Sequence, residues 1–235
     1  MNVWVGTSGW SYKEWKGPFY PEDLPADEML RYYSERLRGV EVNNTFYRMP
    51  RREVLAGWAE QTPDDFSFVL KASRRITHQA KLGGDAADAL DYLLANSTEL
   101  GAKRGPILFQ TPPWLKKDVA VLDAFLARIP EDVRAAFEFR STSWFDDEVF
   151  ETLRSHGAAL VAADTGDPDK DPPLVSTAPF GYARLRREEY EDGLLADWAA
   201  RVEDAGWSDA WVFFKHEDEG AGPRLAERFM GLLRG

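Results

Sequence analysis

One local unit recurs along almost the whole chain: a short run of apolar residues, a stop signal, then a stretch with helical periodicity. Eight strand candidates carry the pattern: Val3–Gly6, Val40–Asn43, Phe66–Lys71, Pro106–Gln110, Arg134–Arg140, Ala159–Asp164, Tyr182–Arg186 and Trp211–Lys215. They start roughly 25–40 residues apart and nearly all precede a helix. Repeated strand-then-helix units require parallel strands, because each helix carries the chain back to the same edge of the sheet. Eight such units in about 250 residues are what a (β/α)8 TIM-type barrel needs. An open doubly wound sheet is the competing arrangement. It loses support because Gly6–Gly9 lacks the Gly-x-Gly-x-x-Gly spacing of a dinucleotide loop. No linker or shift in composition interrupts residues 1–235, so a single α/β barrel domain is expected.

The helices read from their apolar spacing and their stops. Met29, Tyr33 and Leu37 share a face within Ala26–Leu37, and Gly39 follows. Pro50 opens a helix through Val54, Leu55 and Trp58 that Pro63 closes, and Asp85–Leu100 carries Leu90, Leu93 and Leu94 before Gly101. Asp118 is the expected cap of a helix running to Ile129, with Ser143 and Asp146 resembling a capping box for the next. Gly166–Pro173 is expected to be a loop; helices around Leu194–Val202 and over Leu225–Leu233 complete the set.

The strand Arg134–Arg140 sets the functional question. Its alternation places Phe137 and Phe139 on one face, Glu138 and Arg140 on the other. A strand buried in a parallel sheet is ordinarily apolar on both faces. Several other strands end the same way: Thr7 and Ser8, Glu41 and Asn43, Lys71, Gln110, Asp164, Arg184 and Arg186, then Lys215 and His216. In a barrel these strand ends converge on one rim, where the active sites of this fold lie. Burying charge costs several kcal/mol per ion unless a partner satisfies it, so the groups are expected to interlock. A purely stabilising ion network is the plain alternative. Leu or Val would fill the barrel more cheaply, which favours a polar ligand.

Within that basin Glu138 is the expected general acid/base, with Asp164 and Glu41 as supporting acids. Asn43, Lys71, His78, Gln110, Arg140 and Arg184 are the expected substrate contacts, the arginines for their planar forks and Lys71 as a further cation. A Schiff base on Lys71 is a lesser option. Trp10 and Tyr12, in an aromatic first loop running to Pro21, either stack on a ligand or pack as a lid. Trp114 and Trp144 pose the same choice. No organic cofactor and no metal site are expected. His78, His156 and His216 show no ligand spacing, although Glu41, Glu138 and Asp164 could hold a divalent cation through oxygen. Ser8 has no nucleophile-elbow motif and no histidine assigned to it.

Charge and cysteine content narrow the class. A formal net charge of −11 argues against gripping nucleic-acid phosphates, so nucleic acid is not an expected partner. The absence of cysteine excludes disulfides, thiolate zinc sites and a cysteine nucleophile, and suits a reducing cytoplasm. The chain opens directly on a strand-like Val3-Trp-Val5, with no secretory signal and no apolar run of about 20 residues, so a cytoplasmic protein off the membrane is expected. The oligomeric state is open.

Several ordered motifs together resemble the domain-of-unknown-function 72 (YecE-like) family. They are Gly6-Thr-Ser-Gly-Trp-Ser-Tyr12, Trp15-Lys-Gly17, Phe19-Tyr-Pro21, Val40-Glu-Val-Asn-Asn-Thr-Phe-Tyr-Arg48, Trp58, Thr62-Pro63, Lys71 and Ile76-Thr-His78. The likeness continues through Gln110-Thr-Pro-Pro113, Glu138-Phe-Arg140, Ser143-Trp144 and Tyr182-Ala-Arg184. It implies a TIM-type barrel and no established reaction. Where the family ends its eighth strand with Asn-Asn, this chain has Lys215-His216-Glu217. Two functions fit: an enzyme performing acid/base chemistry on a small polar or anionic substrate, with two-carboxylate glycoside hydrolysis as a variant, or a non-catalytic ligand- or nucleotide-binding adaptor.

Overall fold

A computed structural model describes residues 1–215 and 218–233. The strands are β1 (Asn2–Thr7), β2 (Gly39–Val42), β3 (Ser67–Lys71), β4 (Arg104–Gln110), β5 (Ala135–Glu138), β6 (Ala159–Leu160), β7 (Ala162–Asp164), β8 (Phe180–Leu185) and β9 (Asp209–Phe214). All pair in parallel in the order β6-β5-β4-β3-β2-β1-β9-β8-β7. The expected sixth strand is broken at Val161: its first half bonds β5 and its second half bonds β8. The two edges of the sheet are thus halves of one segment, and the sheet closes as a TIM-type barrel. A hydrogen bond from Leu160 N to the Thr177 hydroxyl (2.7 Å) occupies the backbone at the break.

The outer layer is α1 (Met29–Ser34), α2 (Arg52–Glu60), α3 (Ala87–Ser97), α4 (Val119–Leu126), α5 (Asp147–Ser155), α6 (Asp192–Asp204) and α7 (Ala221–Leu232). Asp118 caps α4 as expected, accepting from Val121 N at 3.1 Å. The cap of α5 is Asp146 alone, bonded to Glu148 N, because the Ser143 hydroxyl instead accepts from Lys117 N. No helix of the described residues is long and apolar enough to cross a membrane.

The core has two parts. The larger lies between sheet and helices, and includes Val5, Val42, Leu70, Phe109, Phe137 and Phe214. The smaller fills the barrel, and includes Val69, Leu108, Ala136, Val161, Tyr182 and Trp211. Strand alternation then decides which charges enter the barrel. Two residues beyond Val69, Leu108, Ala136 and Tyr182 stand Lys71, Gln110, Glu138 and Arg184, on the same inward face. Glu41 pairs with Val69 in register and joins them.

One close approach holds β1 to β2. Gly6 pairs with Gly39, and the Tyr33 hydroxyl ties both strands by donating to Gly39 O (2.9 Å) and accepting from Thr7 N (2.8 Å). A Cβ on Gly6 would lie 1.8 Å from the Gly39 carbonyl oxygen and 2.7 Å from that hydroxyl. Gly6→Ala must therefore part the strands, and a loss of about 1–3 kcal/mol is expected in urea unfolding. A change within about 0.5 kcal/mol would show that the strands separate freely there.

Candidate functional site

Arg184 is the hub of the barrel mouth. Its Nε and Nη2 form a fork on Glu41, at 2.9 Å to Oε2 and 2.7 Å to Oε1, and its Nη1 donates to Glu138 Oε2. All three side chains are buried, at 2% exposure for Arg184, 0% for Glu41 and 4% for Glu138. Arginine suits this place because its planar fork meets a carboxylate on two bonds and keeps a further donor for a second one.

Glu41 has no capacity left. Beyond Arg184, its Oε1 accepts from the Ser8 hydroxyl (2.9 Å) and its Oε2 from the Tyr182 hydroxyl (2.6 Å). Four bonds fill the lone-pair sites of a carboxylate. Glu138 accepts from Gln110 Nε2 (2.8 Å) and from Arg140 Nε (3.4 Å) besides Arg184. Burial pushes the Glu138 carboxyl up, but Arg184, Arg140 and the Gln110 hydrogen bond outweigh it and hold the group at about 2. Burial likewise opposes ionisation of Glu41, and Arg184 and Tyr182 reverse it to a net lowering. Tyr182 is raised well above its ordinary range by burial and by Glu41, so it remains a donor.

Around this anionic pair stand further cations. Lys71, partly buried at the end of β3, lies with its Nζ 4.6 Å from the Phe46 ring centroid. Burial and then Arg184 lower it to about 8, against the opposing pull of Glu41 and Glu138. Arg186, partly buried just past β8, is lowered by burial and by Arg184. Neither Lys71 nor Arg186 has a side-chain hydrogen bond or ion pair among the described residues. His78 rides a single π-helical turn (Arg75–Gln79), a feature frequent at functional sites. Its ring meets Phe46 edge to face at 5.0 Å, and its Nδ1 bonds the Thr77 hydroxyl at 2.9 Å. Burial, Lys71 and Arg140 push its proton affinity down.

The first loop packs largely on itself. Tyr12 contacts Trp15 and donates to Ser8 O (2.7 Å), while Trp10 stands edge-on to Trp58 at 5.0 Å. Trp10, Tyr12 and Asn43 nevertheless line a cleft of about 220 Å³. Asn43 Oδ1 is buried and has no hydrogen-bond partner among the described residues.

The fold thus joins Glu41, Glu138, Arg184, Gln110 and Arg140 in one bonded chain, with Lys71 in electrostatic reach of it. Asp164 is the correction. It pairs in register with the outward-facing Leu185, while its neighbour Ala163 pairs with Arg184. Its carboxylate accordingly meets Arg187 Nε (2.7 Å), Gly166 N (3.1 Å) and the α6 residue Trp198 (3.0 Å), and no hydrogen bond joins it to Glu138. The last residue of a strand can fall on either face, and the alternation turns Asp164 outward. The three carboxylates suggested for a divalent cation therefore do not converge, and no group of three His, Cys, Asp or Glu among the described residues is placed to share an ion. Trp144 is buried and stacked on Phe139 at 4.4 Å, a packing role, whereas Trp114 is 56% exposed. His156 bonds Asp123 on the surface. Of the Lys215-His216-Glu217 departure, His216 and Glu217 lie outside the described residues. Tyr182 and Phe46 were missing from the expected site, and Ser8 was expected there only as a strand end at the rim. Alternation from Arg184 would have found Tyr182; Phe46 stands in the Val40–Arg48 motif, which assigns it no role.

Comparison with known proteins agrees with this architecture. The family model described as "Protein of unknown function DUF72" matches residues 4–235. UPF0759 protein YunF of Bacillus subtilis is 28% identical over 167 residues, which is 65% of this chain and 56% of that protein. UPF0759 protein YecE of Escherichia coli K12 is 28% identical over 144 residues, 61% of this chain and 50% of that protein. The chain spans about half the length of the curated relatives it matches. Among solved structures, a DUF72 family protein from Thermotoga maritima superposes with a TM-score of 0.87 at 28% identity, covering 99% of both chains. A DUF72 family protein from Enterococcus faecalis superposes at 0.80 with 19% identity, over 98% of this chain and 94% of that one, a likeness of fold.

Proposed function

Starting from the premise that this chain belongs to the DUF72 family, whose description names no reaction, we propose that the barrel mouth binds a small anionic substrate and performs acid/base chemistry on it. One observation carries the reading: Lys71 and Arg186 are partly buried cations without an ion pair or hydrogen bond among the described residues. In a chain of net charge −11, the described residues of the mouth set Arg140, Arg184, Arg186 and Lys71 against Glu41 and Glu138. A fold gains nothing from such an excess unless a ligand supplies the missing negative charge. Asn43 Oδ1, without a partner among the described residues, supports the same reading as an acceptor open to a ligand donor.

The roles differ from those expected of the residue types alone. A carboxyl held at about 2 is a poor proton carrier near neutrality, so Glu138 and Glu41 fix Arg184 in place. Lys71, at about 8, is the group matched to proton transfer. Arg140 and Arg186 hold the anion, and Gln110, Asn43, Trp10 and Tyr12 shape its surroundings.

Lys71→Met tests this. The ligand-free variant should gain stability, on the order of 1 kcal/mol, because a desolvated cation is removed. Sulfate and phosphate should raise the melting temperature of the native protein and do so far less in the variant. Equal stabilisation of both proteins would defeat the proposal. A bound anion that is never transformed would leave a binding protein in place of an enzyme.

A further inference from the structure

Resting on the anion-binding reading above, we propose that Lys71 is a covalent site: its amine condenses with the carbonyl of a small oxo acid whose carboxylate Arg140 and Arg186 hold. The root of the side chain is rigid. The Thr45 hydroxyl bonds the carbonyl oxygens of Lys71 (2.6 Å) and Val42 (2.8 Å), clamping the ends of β3 and β2 together. The amine end is the opposite case. A structural lysine beside two carboxylates would dock on one of them, yet Glu41 and Glu138 are taken up by Arg184, Tyr182, Ser8, Gln110 and Arg140. The Lys71 Nζ is left over the face of Phe46. An apolar face together with neighbouring cations is the environment that frees a lysine amine for nucleophilic attack, and burial with Arg184 brings this one to about 8. His78, packed on the same Phe46 ring and uncharged at neutral pH, is the base at hand.

The step balances without an oxidant or reductant. His78 takes a proton from the Lys71 ammonium, and the freed nitrogen attacks the carbonyl carbon. The C–N bond forms as the carbonyl π pair moves to oxygen. One proton then passes from nitrogen to that oxygen, giving a neutral carbinolamine. Protonated His78 returns its proton to the hydroxyl, which leaves as water while the nitrogen lone pair closes the C=N bond. The product is a protonated imine, an electron sink for breaking a bond next to the former carbonyl.

The test is reductive trapping on the 235-residue chain. Pyruvate and acetoacetate are the probes, sodium borohydride is the trap, and peptide mapping by mass spectrometry is the readout. The reduced adduct should appear on the Lys71 peptide, in preference to exposed lysines such as Lys170, which is 74% exposed. It should be lost in Lys71→Arg, which keeps the charge and lacks a primary amine. No adduct on Lys71, or labelling no greater there than on Lys170, overturns the proposal. Sulfate stabilisation, measured in parallel, separates the two readings. Stabilisation without trapping defeats the imine alone, and loss of both defeats the anion site itself.

Discussion

Replacing Arg184 by Met should destabilise the protein by about 3–5 kcal/mol, the largest loss expected from any change at the barrel mouth. Met keeps an apolar stem and loses the guanidinium, so the effect is chiefly electrostatic. Glu41 and Glu138 are 0% and 4% exposed, and without the guanidinium two buried carboxylates face each other with only neutral donors and the more distant cations to satisfy them. Removing one partner of a buried ion pair is far more damaging than replacing the whole set by neutral groups. The triple variant Glu41→Gln, Arg184→Met, Glu138→Gln should therefore recover much of the loss. Urea unfolding of the single and triple variants decides it. A single-variant loss under about 1 kcal/mol would mean that the network is solvated and contributes little, as surface pairs do.

Acid should unfold the protein through the same network. Glu138 is held at about 2 in the fold, against 4.5 for an unperturbed carboxyl. A lowered folded value means that the unfolded chain takes up the proton first. The stabilisation is thus complete above about 4.5 and fades as the pH falls toward about 2. Its size is on the order of 3 kcal/mol, with Glu41 adding to it in the same direction. Glu138→Gln should be less stable than the native protein at neutral pH, and the gap should close as the pH approaches 2. Unfolding free energies of the two proteins at neutral pH and near pH 3 give the comparison. A gap of constant size would show that the Glu138 charge does not set the acid limb.

Both expectations concern groups that alternation along the strands already pointed inward. Glu138 and Arg140 fall on one face of the stretch Arg134–Arg140 by their spacing alone, as do Glu41 and Asn43 in Val40–Asn43, so their approach to a common basin was legible from residue order. Asp164 was equally legible and misjudged. Val161 lies inside the barrel, three residues earlier, and an odd step along a strand changes face. The packing of Trp144 on Phe139 and the placement of Phe46 between Lys71 and His78 had no such signal, because they depend on how loops fold over the rim.

The amino-acid order by itself determined the barrel and the inward set of charges, because strand and helix periods are local properties of a few neighbouring residues. Only the tertiary structure decided the partnerships. Glu41 meets Tyr182 and Arg184 across separations of 141 and 143 residues, and Glu138 meets Arg184 across 46. Those meetings are set by the closure of the sheet and the register between distant strands. Closure gave the carboxylates to Arg184 and left Lys71 over an aromatic ring. That Lys71 has no ion pair among the described residues can be recognised only once those residues have their places.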